Sequence, residues 1–356
     1  MIMEGIIKSA LENTQKAQPQ GDYEGIKISV VGVGGGGNNT INRLTRLGVK
    51  GATLVACNTD RQHLNMMDEG IHRILIGKSV TKGLGAGGFP EVGAKCAEVD
   101  RAAIEKAIEG SHLVFLCAGM GGGTGTGAAP VVAEIAKGMG AIVVAMVSYP
   151  FALERARTAK ADNGIQAVRA VCDSVIILDN NRLVQIVPNL PMHQAFLVAD
   201  EILSKAISGL VFTITQPSLV NIDFADVRAI MTQGDVGMIA VGSGKGNNRV
   251  EEAVKGVLHN RLLDVDFGGA KGALIHIAGG NDLTLGDAIE AGEKITEQMD
   301  PRASVKWGAR LMPEYDGRIE IVAVVTGVNS PQIVGKVANF AQEKKKEPGY
   351  DIEILG

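Results

Sequence analysis

The stretch that most constrains this chain is Gly119-Met120-Gly121-Gly122-Gly123-Thr124-Gly125-Thr126-Gly127. An apolar, strand-like run, Leu113–Cys117, precedes it, and a helix-like run, Ala128–Lys137, follows. Strand, glycines, helix is the order of a phosphate cradle. Glycines let backbone N–H groups approach an anion, and the helix N-terminus adds a favourable dipole. The two threonines add hydroxyls for phosphate oxygens or metal-bound water. A flexible linker would carry Ser, Asn and Lys instead of glycines locked between two apolar elements.

What the stretch lacks is equally informative. A P-loop reads G-x-x-x-x-G-K-[ST]. The one G-K-S, Gly77-Lys78-Ser79, has His72 where that pattern needs its first glycine, and no lysine lies in 119–127. Negative charge on a bound phosphate must then be met by backbone amides, the helix dipole and a metal ion.

Two further glycine-rich loops follow strand-like runs. Ile26–Val33 leads into Gly34–Asn39, with a helix expected over Thr40–Leu47 and a second strand over Thr53–Cys57, closed by Asn58-Thr59-Asp60. Glycines 32, 34 and 37 fit G-x-G-x-x-G, and Asp60 is placed to serve as the ribose acid of a dinucleotide fold. Arg73–Ile76 reads as a third strand, followed by Gly83–Pro90 and a helix over Glu91–Ile108. In an open parallel sheet, ligands bind where strands end at their carboxyl edge. Three loops converging there suit a triphosphate better than the single pyrophosphate of a dinucleotide.

Strand Ala141–Val147, the turn Ser148–Phe151, a helix over 153–170, strand Ser174–Leu178 and the loop Asp179–Arg182 complete this α/β pattern. Met192–Thr213 is the longest expected helix, and its apolar residues cover most of its circumference, predicting burial between two units. Asp200 and Glu201 interrupt it, and a carboxylate in so apolar a helix needs a partner. A salt bridge satisfies that need; so does guanine, whose N1–H and N2–H₂ donors adenine lacks. Pro217 closes the helix. Asp223 and Asp226 then stand three apart, which locally reads as the N-cap and N3 acid of a helix over 224–233. Beyond Gly234 the pattern becomes α+β, with strands Val236–Val241 and Ala273–Ile277, helices Arg249–His259 and Leu283–Met299, and a hairpin-like pair, Ser304–Leu311 and Arg318–Val325.

Composition excludes several classes. The 356 residues carry a net charge of −4, which gives no footprint for nucleic acid. No apolar run reaches the roughly 18 residues a bilayer span requires. Residues 1–24 read as a short amphipathic helix and polar connector, not a signal peptide. The four cysteines form no C-x-x-C and the six histidines no H-x-x-x-H, so catalytic zinc is not expected. A cytoplasmic protein that does not insert into membranes is the expectation.

The glycine stretch as G-M-G-G-G-T-G-T-G resembles the signature of the tubulin/FtsZ GTPases. The likeness runs from about Ile26 to Gly327, through Gly34–Asn39, Asn58-Thr59-Asp60, Gly83–Pro90, Pro150-Phe151, Asn180–Leu183, Ala195-Phe196 with Asp200, and Asn221–Asp226. It implies a Rossmann-like parallel-sheet α/β GTPase domain, a long central helix and a smaller α+β C-terminal domain. The implied division is an extension at 1–24, a GTP-binding domain at 25–190, the helix at 191–215, a second domain with a catalytic loop at 216–328, and a linker and tail at 329–356. By position, Gly35, Gly36, Gly37, Asn38, Asn39, Asp60, Ala86, Gly87, Gly88, Gly119, Gly121, Gly122, Gly123, Thr124, Gly125 and Thr126 would hold the nucleotide's phosphates and surroundings. Glu154 would meet the ribose, Asn180 and Asp200 would read guanine, and Phe196 would stack on it. Asn221, Asp223 and Asp226 would enter the nucleotide pocket of the next subunit, so that hydrolysis requires polymerisation.

One position departs from the family, which places an arginine four residues after the ribose glutamate. Here Thr158 stands there, and Arg157 is taken as the substitute ahead of Arg155. The resemblance further implies GTP and GDP as ligands, Mg²⁺ held mainly by phosphates and water with K⁺ as a further option, a head-to-tail homopolymer at the mid-cell division site, and a tail that docks on a membrane tether or division protein. Two other readings stand beside this one. One is a GTP-binding filament scaffold or paralogue with weak hydrolysis. The other is a Rossmann NAD-dependent oxidoreductase using the 32/34/37 glycines and Asp60.

Overall fold

The computed structural model describes residues 25–216, 219–220, 222–232, 236–258 and 268–328. The expected N-terminal helix and the 329–356 linker and tail lie outside the described residues.

A single ten-stranded sheet organises the fold. Its first six strands are β1 (Ile28–Val33), β2 (Ala52–Asn58), β3 (His72–Leu75), β4 (Leu113–Gly119), β5 (Ile142–Tyr149) and β6 (Ser174–Asp179). They run parallel in the order β3-β2-β1-β4-β5-β6. All six residues of β1 are buried, as a strand covered on both faces requires. The sheet continues through β7 (Val236–Lys245), β10 (Arg318–Thr326), β8 (Gly272–Gly279) and β9 (Ser304–Leu311). Among the described residues, Val175↔Val236 and Ile176↔Gly237 join β6 to β7.

Helices cover both faces of the first six strands. They are α1 (Gly34–Arg46), α2 (Arg61–Asn65), α3 (Lys78–Thr81), α4 (Pro90–Val99), α5 (Arg101–Ala107), α6 (Thr124–Gly138), α7 (Arg155–Val171) and α8 (Asn180–Ile186). The long helix α9 (Met192–Thr215) follows, then α10 (Phe224–Met231), α11 (Arg249–Leu258) and α12 (Leu285–Thr296). Leu203, Ala206, Ile207, Leu210 and Val211 of α9 join one core with Ile28 and Phe115 from the first strands and Leu274 and Val322 from the last. The N-terminal half of α9 departs from the expected burial, with Phe196 and Leu197 exposed, because it leaves that core at the carboxyl edge of the sheet.

Three further expectations are corrected. The first glycine run is not a loop before a helix at Thr40. It is the opening turn of α1, entered through Gly34 at φ 72°. The helix expected over Glu91–Ile108 divides at Asp100, whose carboxylate accepts from Gly77 N at 2.6 Å and so is held out of the helix. The strands expected to form a hairpin do not pair. β10 lies antiparallel between β7 and β8, and β9 lies parallel on the far side of β8. Their connection crosses the end of β8, where Asp316 Oδ1 accepts from Asn281 N at 2.8 Å.

Candidate functional site

At the carboxyl edge of the first six strands lies a cavity of about 880 Å³. Helix α1 contributes Gly35, Gly36, Gly37, Asn39 and Thr40; the end of β4, the loop after it and the start of α6 contribute Gly119, Met120, Gly122, Gly123, Thr124 and Gly125. Pro150, Phe151, Glu154 and Arg157 follow β5, Asn180 opens α8, and Phe196 and Asp200 come from α9. Two multi-turn helices, α1 and α6, therefore begin on the cavity floor, and their free N–H groups form an anion site.

The glycines divide by what surrounds them. A Cβ on Gly37 would collide with the Cys117 carbonyl of β4, and one on Gly125 with the Gly119 carbonyl. These two let backbone pack on backbone. A Cβ on Gly35 would meet nothing nearer than His63 Nε2 at 3.7 Å, and one on Gly122 nothing nearer than Arg157 Nη2 at 3.9 Å. Those two leave room over the floor for a ligand. The threonines lock the loop from behind. Thr126 Oγ1 accepts from Gly121 N at 2.8 Å, and the Thr124 and Thr59 hydroxyls bond at 2.7 Å. Thr126 and Gly121 are not among the cavity-lining residues. Asn38 is fully buried behind the floor, with neither side-chain polar atom partnered among the described residues.

At the other end of the cavity, Phe196 meets Phe151 edge to face, with ring centroids 5.7 Å apart. Asp200 faces the same space. Burial pushes its carboxyl up to about 6, against the opposing pull of a Thr40 hydrogen bond and the Arg43 charge. Arg43 itself pairs with Glu201. At the mouth, Glu154 pairs with Arg157 and accepts from Phe151 N at 3.2 Å. Arg155 does not line the cavity, and Thr158 donates to the Arg155 carbonyl at 2.7 Å.

Other expected residues lie elsewhere. Asp60 caps α2, its Oδ1 accepting from Gln62 N at 2.8 Å and His63 N at 3.2 Å, and it is not among the cavity-lining residues. Ala86, Gly87 and Gly88 are not among the cavity-lining residues; Ala86 and Gly88 lie against Gly123, and Lys160 donates to the Gly88 carbonyl at 2.6 Å. Asp223 caps α10 by accepting from Asp226 N at 2.6 Å, and Asp226 pairs with Lys306 at 2.7 Å. Neither acid lines the cavity of its own chain, and Asn221 lies outside the described residues. Phe151, Leu183 and Ser148 line the cavity without having been assigned a role from sequence. The signal for Phe151 was its place directly after a strand at the carboxyl edge.

A floor of helix N-termini, an aromatic pair and a buried carboxylate on a doubly wound sheet define a nucleotide-binding α/β protein. Residues 27–188 match the model of the tubulin/FtsZ family GTPase domain, and residues 235–329 that of the FtsZ family C-terminal domain. "Cell division protein FtsZ 2" of Methanocaldococcus jannaschii is 54% identical over 340 residues, covering 94% of this chain and 89% of that protein. The protein of the same name from Haloferax volcanii is 48% identical over 353 residues, covering 97% and 88%. Among solved structures, an empty FtsZ dimer from M. jannaschii superposes with a TM-score of 0.81 at 41% identity, covering 98% of this chain and 99% of that one. The chain belongs to the tubulin/FtsZ family of GTPases.

Proposed function

We propose that this chain is a polymerising GTPase of cell division. It binds GTP in the 880 Å³ cavity, assembles head to tail with copies of itself into filaments of the cytokinetic ring, and hydrolyses GTP where two copies meet. One observation carries the shared site. Among the described residues the cavity's own carboxylates are Glu154, paired with Arg157, and Asp200, beside the aromatic pair, while Asp223 and Asp226 lie outside it. An acid to orient water at the terminal phosphate has to come from another copy. Relatives named as cell division proteins and a solved FtsZ dimer support assembly.

In this reading the α1 and α6 N-termini hold the phosphates, Phe196 and Phe151 flank the base, and Asp200 and Asn180 select guanine. Glu154 and Arg157 meet the sugar end. Asp226 of the adjoining copy, with Asp223 and Asn221, accepts a hydrogen bond from the attacking water. Water oxygen bonds to the γ-phosphorus, the bond to the β–γ bridging oxygen breaks, and GDP and inorganic phosphate leave. The gain comes from positioning and charge stabilisation. Among the described residues no group of three or more acidic, His or Cys side chains could hold a metal. Mg²⁺, with K⁺ as a further candidate, would be held by phosphate oxygens and water, where it neutralises charge developing on the phosphates. Residues 25–190, 191–215 and 216–328 serve as nucleotide domain, central helix and acidic-loop domain. The 329–356 tail docks on a membrane tether or division protein, placing the filament in the cytoplasm at mid-cell. No helix among the described residues is long and apolar enough to cross a membrane.

Phosphate release measured against protein concentration tests the shared site. The expected result is a threshold below which turnover vanishes. Asp226→Ala should still bind GTP without hydrolysing it, and mixing it with Gly122→Asp, crippled in the floor alone, should restore some turnover. Turnover linear in concentration from a monomer, or no rescue in the mixture, would overturn the reading. Filaments above the threshold without phosphate release would favour the scaffold alternative.

A further inference from the structure

Two carboxylates entering a pocket that holds a triphosphate raise an electrostatic problem. Like charges at a few ångströms repel, the more so as water is excluded. Among the described residues, the cation lining the cavity, Arg157, is already paired with Glu154 at the mouth. The acidic segment carries its own answer. Lys306, on edge strand β9, places Nζ 2.7 Å from Asp226 Oδ1, with its side chain 41% exposed. Backbone fixes the two groups together. Val220, just before the acidic segment, forms a bridge with Ala309 of β9, with N–H donations of 3.3 Å in each direction. Gly308 permits that approach, since a Cβ there would lie 2.9 Å from the Val220 carbonyl.

We propose that Lys306 is a positioning residue for GTP hydrolysis: it orients the Asp226 carboxylate and travels with it into the neighbouring copy's pocket, supplying the charge that lets the acidic segment approach a polyphosphate. This rests on the shared-site reading above. The Asp226 hydrogen bond, and then the Asp226 and Asp223 charges, raise the Lys306 ammonium above its ordinary value, so it is charged at neutral pH. The pair is too exposed to matter much for stability. Its consequence is where Asp226 points and how much net charge the segment brings.

The test uses the full chain with Lys306→Ala and Lys306→Arg. Lys306→Ala should lower kcat about tenfold or more while leaving the KM for GTP within about twofold, because the cavity that binds GTP is untouched. Pelleting of filaments with a non-hydrolysable GTP analogue should not change. Lys306→Arg should keep most of the activity. Propylammonium chloride should restore part of the kcat of Lys306→Ala, and tetramethylammonium chloride at equal ionic strength should not. A Lys306→Ala protein that pellets and turns over at the wild-type rate overturns the proposal. So does an equal loss in the Ala and Arg variants without propylammonium rescue, which would mark a packing role. Failure of the underlying reading is separate: the wild type would then show no concentration threshold.

Discussion

Burial holds the Asp200 carboxyl at about 6, against an ordinary 3.8, with Thr40 and Arg43 opposing the shift. Guanine presents two N–H donors to an ionised carboxylate, so binding favours the charged form and releases a proton when the free group carries one. GDP affinity should therefore fall as pH drops through about 6, approaching tenfold per pH unit below it. Titration calorimetry in buffers of different ionisation enthalpy would register that proton release; a flat affinity between pH 7 and 5 would remove Asp200 from base reading. The empty protein has the opposite sign. Between 3.8 and about 6 the folded Asp200 binds more protons than the unfolded one, so its contribution to stability grows as pH falls through that window. Asp200→Asn should abolish both trends.

The floor elements separate two uses of glycine that the sequence presents as one run. Gly37→Ala would drive a Cβ into the Cys117 carbonyl, prising α1 from β4, and should cost on the order of 1–3 kcal/mol or more. Gly35→Ala meets only His63 at 3.7 Å, so its melting temperature should stay near wild type while GDP affinity drops. Comparable losses of stability in both, read by thermal melts with and without GDP, would contradict the division. The strands and their glycine turns were legible because each is local: β-branched runs such as Ile28–Val33 declare buried strands, and glycine follows where α1 and α6 begin. The Asp223 cap was legible for the same reason, in its spacing to Asp226. What was not legible is set by distant partners. Asp100 breaks its helix because Gly77 N needs an acceptor. β10 inserts between β7 and β8 because both its edges find partners there, which no local pattern encodes. The helix-capping bonds of Asp60 to Gln62 N and His63 N were likewise not read from its place after a strand.

Across the whole molecule, α9 helps unite the halves, because its buried face shares one core with the first strands and the last. Its Gly209 sits against β10 and β8, where a Cβ would come 2.9 Å from Val322 and 3.7 Å from the ring of His276. His276 is buried, and its Nδ1 has no partner among the described residues. Burial, then the Arg310 charge, lower its pKa from 6.5 to about 4. The unfolded chain binds the His276 proton between those values and the folded chain does not, so this contribution is lost as pH falls below 6.5. The sign is opposite to that of Asp200 in an overlapping window, so the two are separable only by substitution. In an Asp200→Asn background, the unfolding free energy from urea titration should decline from pH 6.5 towards 4.5 by on the order of 1–3 kcal/mol. Adding His276→Gln, which cannot take up a proton, should flatten that decline. The seam makes the location of the loss readable as well. With His276 charged, hydrogen exchange should quicken first in β8 and the C-terminal half of α9, ahead of β1 and β4, since the proton is taken up where α9 meets the second half. Acid-induced exchange beginning in β1 instead would show that the union of the halves does not depend on a neutral His276.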